Sequence, residues 1–296
     1  MRRWAHRTHL AVLLVCGTIA CGTGSRATTA AGVGVTDDAG RAVTLPRPPR
    51  RIVSHLPSFT ELLFAIGAGD RLVGRTHWCD YPPAALAVPD VGDGMPPNIE
   101  AVATRHPDLV VLYRAGQNEA AAGQLERLGI PTVLFDLNRL KELAPVARRL
   151  GVLTGRQAAG DSLARVMDSM ATQPPVPSRY SLVFIVWDNP PIVIGAGSYL
   201  DELAALAGAR NVFHDISAPS AQVSVETIAA RDPDYVAVLS DSARPPRYAS
   251  RPEWRVVGAV RRGRFLLLPC QLFGRPGPRA AEAVGELRRR LEAGVP

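Results

Sequence analysis

One stretch of the 296-residue chain occurs twice, and this repeat constrains the fold more than any other feature. Residues 98–110 read NIEAVATRHPDLV, and residues 224–236 read SVETIAARDPDYV. Each copy predicts a capping residue, a short helix ended by a proline, and an apolar strand. The two copies lie too far apart in the chain for a solenoid, so the repeat predicts two similar α/β lobes. Two such lobes leave a crevice between them that is suited to holding a small molecule.

Strands and helices alternate in both halves of the chain, which is typical of a mainly parallel sheet in each lobe. Strands are predicted at 51–54 and 109–113 in the first half, and at 182–187 in the second. After the first of these strands, Ser58 followed by Glu61 has the pattern of a capping box. We therefore predict a helix that begins close to Ser58.

The middle of the chain is predicted to be helical. One helix is expected over 140–150 and a more polar one over 155–170. At about 1.5 Å per residue the second would be on the order of 25 Å long, enough to bridge the two lobes. The expected organisation is an N-terminal lobe over 48–139, a helical linker with the bridging helix over 140–176, and a C-terminal lobe over 177–296.

The N-terminus has the pattern of an export signal. Three arginines precede an apolar run over 10–15, and small residues then lead to Cys21. The run is too short to span a bilayer, so residues 1–21 are predicted to be a signal peptide. Cys21 resembles a lipobox cysteine, which would anchor the protein by lipid to the cell membrane; a plain cleaved signal is the alternative. Residues 22–47 are predicted to be a flexible tether and lead-in.

Composition excludes several classes of function. The formal net charge of +7 includes the three arginines of the signal segment, and no basic stripe with interleaved aromatics indicates nucleic-acid binding. The sequence carries no HExxH, GxSxG, Walker or strand-linked GxGxxG motif, so we predict no enzymatic activity. An exported metalloenzyme or hydrolase is kept as an alternative.

Cys79 and Cys270 form either a disulfide between the lobes or two free thiols.

Several segments together resemble one known family, the iron-chelate and vitamin B12 periplasmic binding proteins of ABC importers. The segments that carry the resemblance are 51–54, 57–62, 73–74, 80–82, 98–100, 107–110 and 208–213. The likeness extends over about 48–296. It implies the class III solute-binding fold, with two α/β lobes, one long bridging helix and a ligand cleft between them. It also implies capture of a metal chelate, with no cofactor of the protein's own, and delivery to an ABC permease; we expect a monomer.

Within this family, two segments look most like the members that bind vitamin B12. They are the loop 80–83, which reads DYPP, and 221–224, which reads AQVS. Gly94 and Ser220 depart from those members, which have tryptophans at both positions. A corrinoid is therefore the first expectation for the ligand, and a ferric siderophore or haem is the alternative.

The candidate ligand-binding residues follow predicted strands and are Trp78, Tyr81, Trp187, Phe273, His77 and Arg275. Aromatic faces bury large flat ligands at little conformational cost, which favours a place in the cleft for Trp78 and Trp187; rim or core packing is the alternative, and it is as good an interpretation for Tyr81 and Phe273. His77 with Cys79 suggests a receptor for a bare metal ion as a further alternative. An arginine such as Arg275 would suit an anionic chelate. His55, Arg75 and Arg114 are additional cleft candidates.

Glu100 and Glu226 occupy matching positions in the two copies of the repeat. The family resemblance implies that one such glutamate on each lobe docks onto arginines of the membrane permease. Both acids also fall in the first turn of a helix, where the helix dipole favours a carboxylate without any partner. Their matched placement on both lobes favours docking.

Overall fold

The computed structural model describes Met1 and residues 32–294. Apart from Met1, the predicted signal peptide over 1–21 and its lipidation site at Cys21 lie outside the described residues. Within residues 32–294, no helix is both long and apolar enough to cross a membrane.

The elements follow the predicted alternation. The first lobe contains β1 (Val33–Thr36), β2 (Ala42–Leu45), β3 (Ile52–Ser54), α1 (Pro57–Ala65), β4 (Leu72–Arg75), α2 (Ile99–Ala103), β5 (Leu109–Tyr113), α3 (Gly116–Arg127) and β6 (Thr132–Phe135). The connection contains α4 (Leu140–Leu153) and α5 (Gln157–Ala171). The second lobe contains β7 (Tyr180–Asp188), β8 (Pro191–Ile194), α6 (Tyr199–Ala207), β9 (Ala209–Asn211), β10 (Ser220–Gln222), α7 (Val225–Ala230), β11 (Tyr235–Leu239), α8 (Gly258–Arg261), β12 (Phe265–Leu268), α9 (Cys270–Phe273) and α10 (Ala280–Ala293).

Each lobe is built on its own sheet. The first sheet has the strand order β4-β3-β5-β6, and its neighbouring strands are parallel. The second has the order β10-β8-β7-β11-β12, with β9 paired to β7. Strands β7, β9, β11 and β12 pair in parallel, whereas β8 and β10 add antiparallel pairings at one side. These sheets confirm the predicted α/β architecture of two similar lobes.

The segment 22–47, predicted to be a flexible lead-in, is folded from Val33 onward. Strands β1 and β2 form an antiparallel hairpin, and its turn covers the outer edge of β6. The Asp38 N–H donates to the Leu134 carbonyl at 2.9 Å, and the Leu134 N–H donates to the Asp37 carboxylate at 3.2 Å. An uncovered edge strand would leave such groups unpaired, so the hairpin completes the sheet.

The two copies of the repeat fold alike. Asn98 accepts from the Ala101 N–H at 3.0 Å to cap α2, and Ser224 accepts from the Thr227 N–H at 3.2 Å to cap α7. Both helices are then followed by a residue with a positive φ, 46° at His106 and 38° at Asp232. The repeated sequence therefore encodes the same capped helix and the same turn in both lobes.

An aspartate at the same position of each copy fastens the following strand to its neighbour. Asp108 precedes β5 and accepts from the Arg51 N–H, at 3.2 Å, just before β3. Asp234 precedes β11 and accepts from both the N–H and the hydroxyl of Ser181 in β7, at 2.8 and 2.7 Å. The repeat thus fixes the start of one parallel strand pair in each lobe.

The linker predicted over 140–176 contains the pair α4 and α5, which pack closely against each other. Gly151 of α4 and Gly160 of α5 are in backbone contact: a Cβ added at residue 160 would lie 2.8 Å from the Ala147 carbonyl oxygen. Helix α5 continues to the second lobe, where it faces α6 and α10 across a groove of about 670 Å³. It is therefore the helix that bridges the lobes.

One apolar core runs through both lobes and the connection. It includes Phe59 of α1, Leu143 of α4, Leu203 of α6 and Leu287 of α10, all fully buried. Because this core is continuous, separating the lobes would expose apolar surface to water. Each Å² exposed would cost about 25 cal/mol of free energy. The lobes are therefore held together by packing as well as by their linker.

The Asp234 side chain provides a test of the shared strand anchor. Asp234→Ala leaves the Ser181 N–H and hydroxyl without an acceptor, and we expect it to lower the free energy of unfolding by about 2 kcal/mol. Asp70→Ala, which removes an exposed carboxylate, should change it by less than about 0.5 kcal/mol. Urea denaturation of both variants measures the difference, and equal midpoints would contradict the anchoring role.

Candidate functional site

The C-terminal ends of the strands in the two lobes meet at a common boundary. The loop 76–83 after β4 contacts the segment 270–279 after β12, and both belong to one compact unit of the chain. Asn138, which follows β6, accepts from the Tyr199 N–H of α6 at 2.7 Å. In open α/β sheets, this end of the strands is where ligands are usually bound. The crevice between the lobes is therefore the candidate site.

An ion pair and two further hydrogen bonds hold the loop 76–83 against the second lobe. Asp80 contacts the Arg275 guanidinium at 2.5 Å and accepts from the Gln271 amide at 2.8 Å. Arg275 also donates to the Trp78 carbonyl at 2.8 Å. Partial burial alone would raise the pKa of Asp80, but the hydrogen bond and charge of Arg275 lower it below its ordinary value. Asp80 is thus ionised and committed to the contact between the lobes.

A second pair, beside the first, is deeper. Arg279 donates to both oxygens of Glu61, at 2.9 and 2.7 Å, and its guanidinium lies 3.9 Å from the centroid of the Tyr81 ring. The side chain of Glu61 is 1% exposed. Glu61 therefore serves as the buried partner of Arg279, and the predicted capping box is wrong. Helix α1 begins instead at Pro57 and has no side-chain cap.

The four aromatic candidates are placed differently. Trp78, Tyr81 and Trp187 are 57%, 39% and 59% exposed, at the ends of β4 and β7. Phe273 is 1% exposed and belongs to the shared core, so the structure corrects its expected position at the cleft surface to a packing role. Arg275, predicted to contact ligand, is committed to Asp80. The structure thus places exposed aromatic side chains on both lobes.

The residues proposed for direct metal binding do not converge. His77 pairs with Asp93 at 2.7 Å and packs on the Trp78 ring at 4.1 Å. Cys79 is buried, and burial raises the pKa of its thiol. Cys79 and Cys270 are both free thiols. In the part of the chain that the structure describes, no three His, Cys, Asp or Glu side chains are grouped to hold a metal ion.

The additional cleft candidates have local partners or are buried. Arg75 donates to the Ala85 carbonyl at 2.9 Å, and Arg114 pairs with Asp136 at 2.7 Å. The His55 ring is buried, and burial lowers its pKa to about 4. Arg75 and His55 are thus buried in the N-terminal lobe, whereas Arg114 is exposed at the end of β5 and paired with its neighbour.

Glu100 and Glu226 are exposed in the first turns of α2 and α7. The pKa of Glu226 is lowered by its own backbone N–H and by the Ser224 hydroxyl. Among residues 32–294, neither carboxylate has an arginine, lysine or histidine within ion-pair distance. Both remain available to an external partner.

Comparison with known proteins identifies the family. The family described as periplasmic binding protein matches residues 52–272. The chain belongs to the periplasmic binding protein family. Its members are substrate-binding components of ABC transport that are exported and deliver ligand to a membrane permease, and they are not known as enzymes.

Relatives cover most of the chain. A vitamin B12-binding protein of Vibrio cholerae serotype O1 is 30% identical over 253 residues, which is 82% of this chain and 89% of that protein. An uncharacterised ABC transporter substrate-binding lipoprotein of Bacillus subtilis is 29% identical over 303 residues, covering 97% of this chain and 96% of the relative.

Solved structures share the fold. The periplasmic vitamin B12 binding protein of Vibrio cholerae superposes with a TM-score of 0.67 at 26% identity, covering 83% of this chain and 98% of that one. A periplasmic haem-binding protein from Roseiflexus superposes with a TM-score of 0.69 at 23% identity, covering 81% and 97%. These likenesses confirm the class III fold and the family resemblance.

The pair of Glu61 and Arg279 can be tested by stability. Glu61→Ala leaves the Arg279 guanidinium largely buried without its carboxylate, and we expect the free energy of unfolding to fall by about 3 kcal/mol. The exposed pair of Arg148 and Asp168 is the matched control, and Arg148→Gln should cost less than about 1 kcal/mol. Denaturant unfolding gives both values. A Glu61→Ala variant as stable as Arg148→Gln would contradict the buried pairing.

Proposed function

We propose that this chain captures a corrinoid in the crevice between its lobes and delivers it to an ABC permease. The observation that carries the proposal is the pair of exposed tryptophans, Trp78 and Trp187, one on each lobe at a strand end. Aromatic faces on opposite lobes suit a large, flat ligand. The similarity to vitamin B12-binding proteins over most of the chain supports a corrinoid in particular.

A haem or ferric siderophore is the second candidate, and the backbone at Gly94 favours it. Gly94 has a φ of +94°, and a Cβ there would lie 2.6 Å from the Thr76 side chain, so a tryptophan does not fit this position. Ser220, the other departure from the vitamin B12 binders, is an exposed residue of the edge strand β10. The crevice therefore presents fewer aromatic faces than those relatives do.

We further propose that Cys21 is lipidated, which would tether the binding protein to the membrane that holds its permease. The lipobox pattern supports this, together with the lipoprotein from Bacillus subtilis that aligns along nearly the whole chain.

We propose that Glu100 and Glu226 dock onto the permease. Their equivalent positions on the two lobes and their free carboxylates support a bivalent contact.

Calorimetric titration of the mature protein with cyanocobalamin tests the ligand. We expect saturable binding at submicromolar concentration, weakened by about 2 kcal/mol, or roughly thirtyfold, in Trp78→Ala and in Trp187→Ala. Leu128→Ala removes an exposed apolar side chain at the end of α3 and should leave affinity unchanged. Absence of corrinoid binding with tight binding of haem or a ferric siderophore would overturn the first candidate in favour of the second.

Charge reversal tests the docking surface. Glu100→Lys and Glu226→Lys should each weaken binding to the permease, reconstituted in lipid nanodiscs, by at least about tenfold, because a like charge then faces the docking arginines. Ligand affinity should not change. Glu119→Lys is the matched control, since Glu119 is also an exposed first-turn glutamate but lies outside the repeat. If all three variants bound the permease equally well, the docking assignment would be wrong.

A further inference from the structure

A small cavity opens beside Trp187 on the second lobe. Its volume is about 320 Å³, and it is bounded by Ile185 of β7, Val238 of β11 and the segment 246–251. It begins at Trp187, near the C-terminal ends of β7 and β11, so it adjoins the crevice surface described above. With about 30 Å³ for each water molecule, it has room for roughly ten waters or for one ring with a polar substituent.

Tyr248, one of the residues that line this cavity, has a buried hydroxyl without a partner among residues 32–294. The Tyr248 ring packs on Trp254 at 4.3 Å and near Phe265 at 6.5 Å, and the residue is 5% exposed. Its hydroxyl makes no hydrogen bond within the described part of the chain. Burial, and secondly the nearby Asp188 carboxylate, raise the pKa of Tyr248, so the group stays protonated. The hydroxyl is therefore a donor without an acceptor. Burying such a donor costs about 1–3 kcal/mol of stability unless a bound group accepts its hydrogen bond.

The charged groups around the cavity leave an excess of positive charge. Arg251 pairs with Asp188 at 2.7 Å. Arg247 also lines the cavity, and among residues 32–294 it has no carboxylate within ion-pair distance. The walls thus combine an apolar floor, an unused hydroxyl donor and a free guanidinium. An oxygen atom that carries negative charge is the strongest acceptor for a guanidinium and for a hydroxyl donor.

We propose that this cavity is a subsite of the crevice that binds a carboxylate or phosphate group carried on an apolar or aromatic body. Arg247 supplies the charge, the Tyr248 hydroxyl donates a hydrogen bond, and Trp187 packs against the body of the ligand. The inference rests on the proposed function, because the carboxylate or phosphate group is taken to be an arm of the transported chelate. It deepens that function, because it predicts that the transported chelate carries an anionic arm.

Small aromatic anions test the subsite without requiring the chelate. The full-length mature chain is titrated calorimetrically with benzoate and with phenyl phosphate, and with benzamide as the neutral isostere of benzoate. We expect millimolar binding of at least one anion and at least tenfold weaker binding of benzamide. The anion that binds more tightly identifies the arm as a carboxylate or as a phosphate. No binding of either anion up to about 10 mM, or equal binding of benzamide, would overturn the proposal.

Two variants locate the binding. Tyr248→Phe removes only the hydroxyl and keeps the ring packing, and Arg247→Gln removes the free charge from an exposed residue. Each should weaken anion binding at least fivefold, whereas Arg255→Gln, an exposed arginine outside the cavity, should have no effect. Unchanged affinity in both variants would show that the anions bind elsewhere, and the subsite would be rejected.

The same variants separate the two proposals. If the wild-type protein binds a corrinoid, haem or siderophore with an affinity that Tyr248→Phe and Arg247→Gln leave unchanged, the subsite fails and the transport function stands. If the anions bind as expected but none of these chelates does, the cavity is an anion site and the proposed chelate ligand is wrong.

Discussion

The hydrogen-bonded pair between Glu61 and Arg279 is the interaction on which the arrangement of the lobes most depends. It joins helix α1 of the first lobe to the start of α10 in the second, and the carboxylate is almost out of contact with water. A buried charge that loses its partner is far more costly than the pair itself is stabilising. The same guanidinium covers one face of Tyr81. The ion pair therefore holds the loop that carries Tyr81 in place, and the continuous apolar core packs the two lobes together.

The repeat gives the molecule two equivalent outer surfaces around one crevice. In each lobe a capped helix presents an exposed glutamate, and an aspartate at the start of the next strand fastens that strand to its neighbour. The strands then end at the boundary where Trp78 and Trp187 are exposed. Both copies therefore place a glutamate and an aspartate at the same spacing, whereas the two tryptophans lie outside the repeat, at the ends of neighbouring strands.

The sequence predicted the lobes, the helical linker region and the family, because each leaves a local and periodic signal. It failed where the deciding partner is distant in the chain. Nothing near Glu61 indicates Arg279, and the local capping pattern suggested another role for the acid. Phe273 follows a strand as a ligand contact would, but the shared core buries it. The hairpin over 33–45 reads as a polar lead-in until the open edge of β6 is known to need a cover.

The contact between Gly151 and Gly160 sets the spacing of helices α4 and α5 away from the crevice. Two helices that touch through bare backbone are spaced by the absence of side chains. A methyl group added at residue 160 would lie too close to the Ala147 carbonyl oxygen, so the two helices would have to shift apart locally. Because α5 continues into the second lobe, this bare-backbone contact constrains how the two lobes are joined at a point remote from the exposed tryptophans.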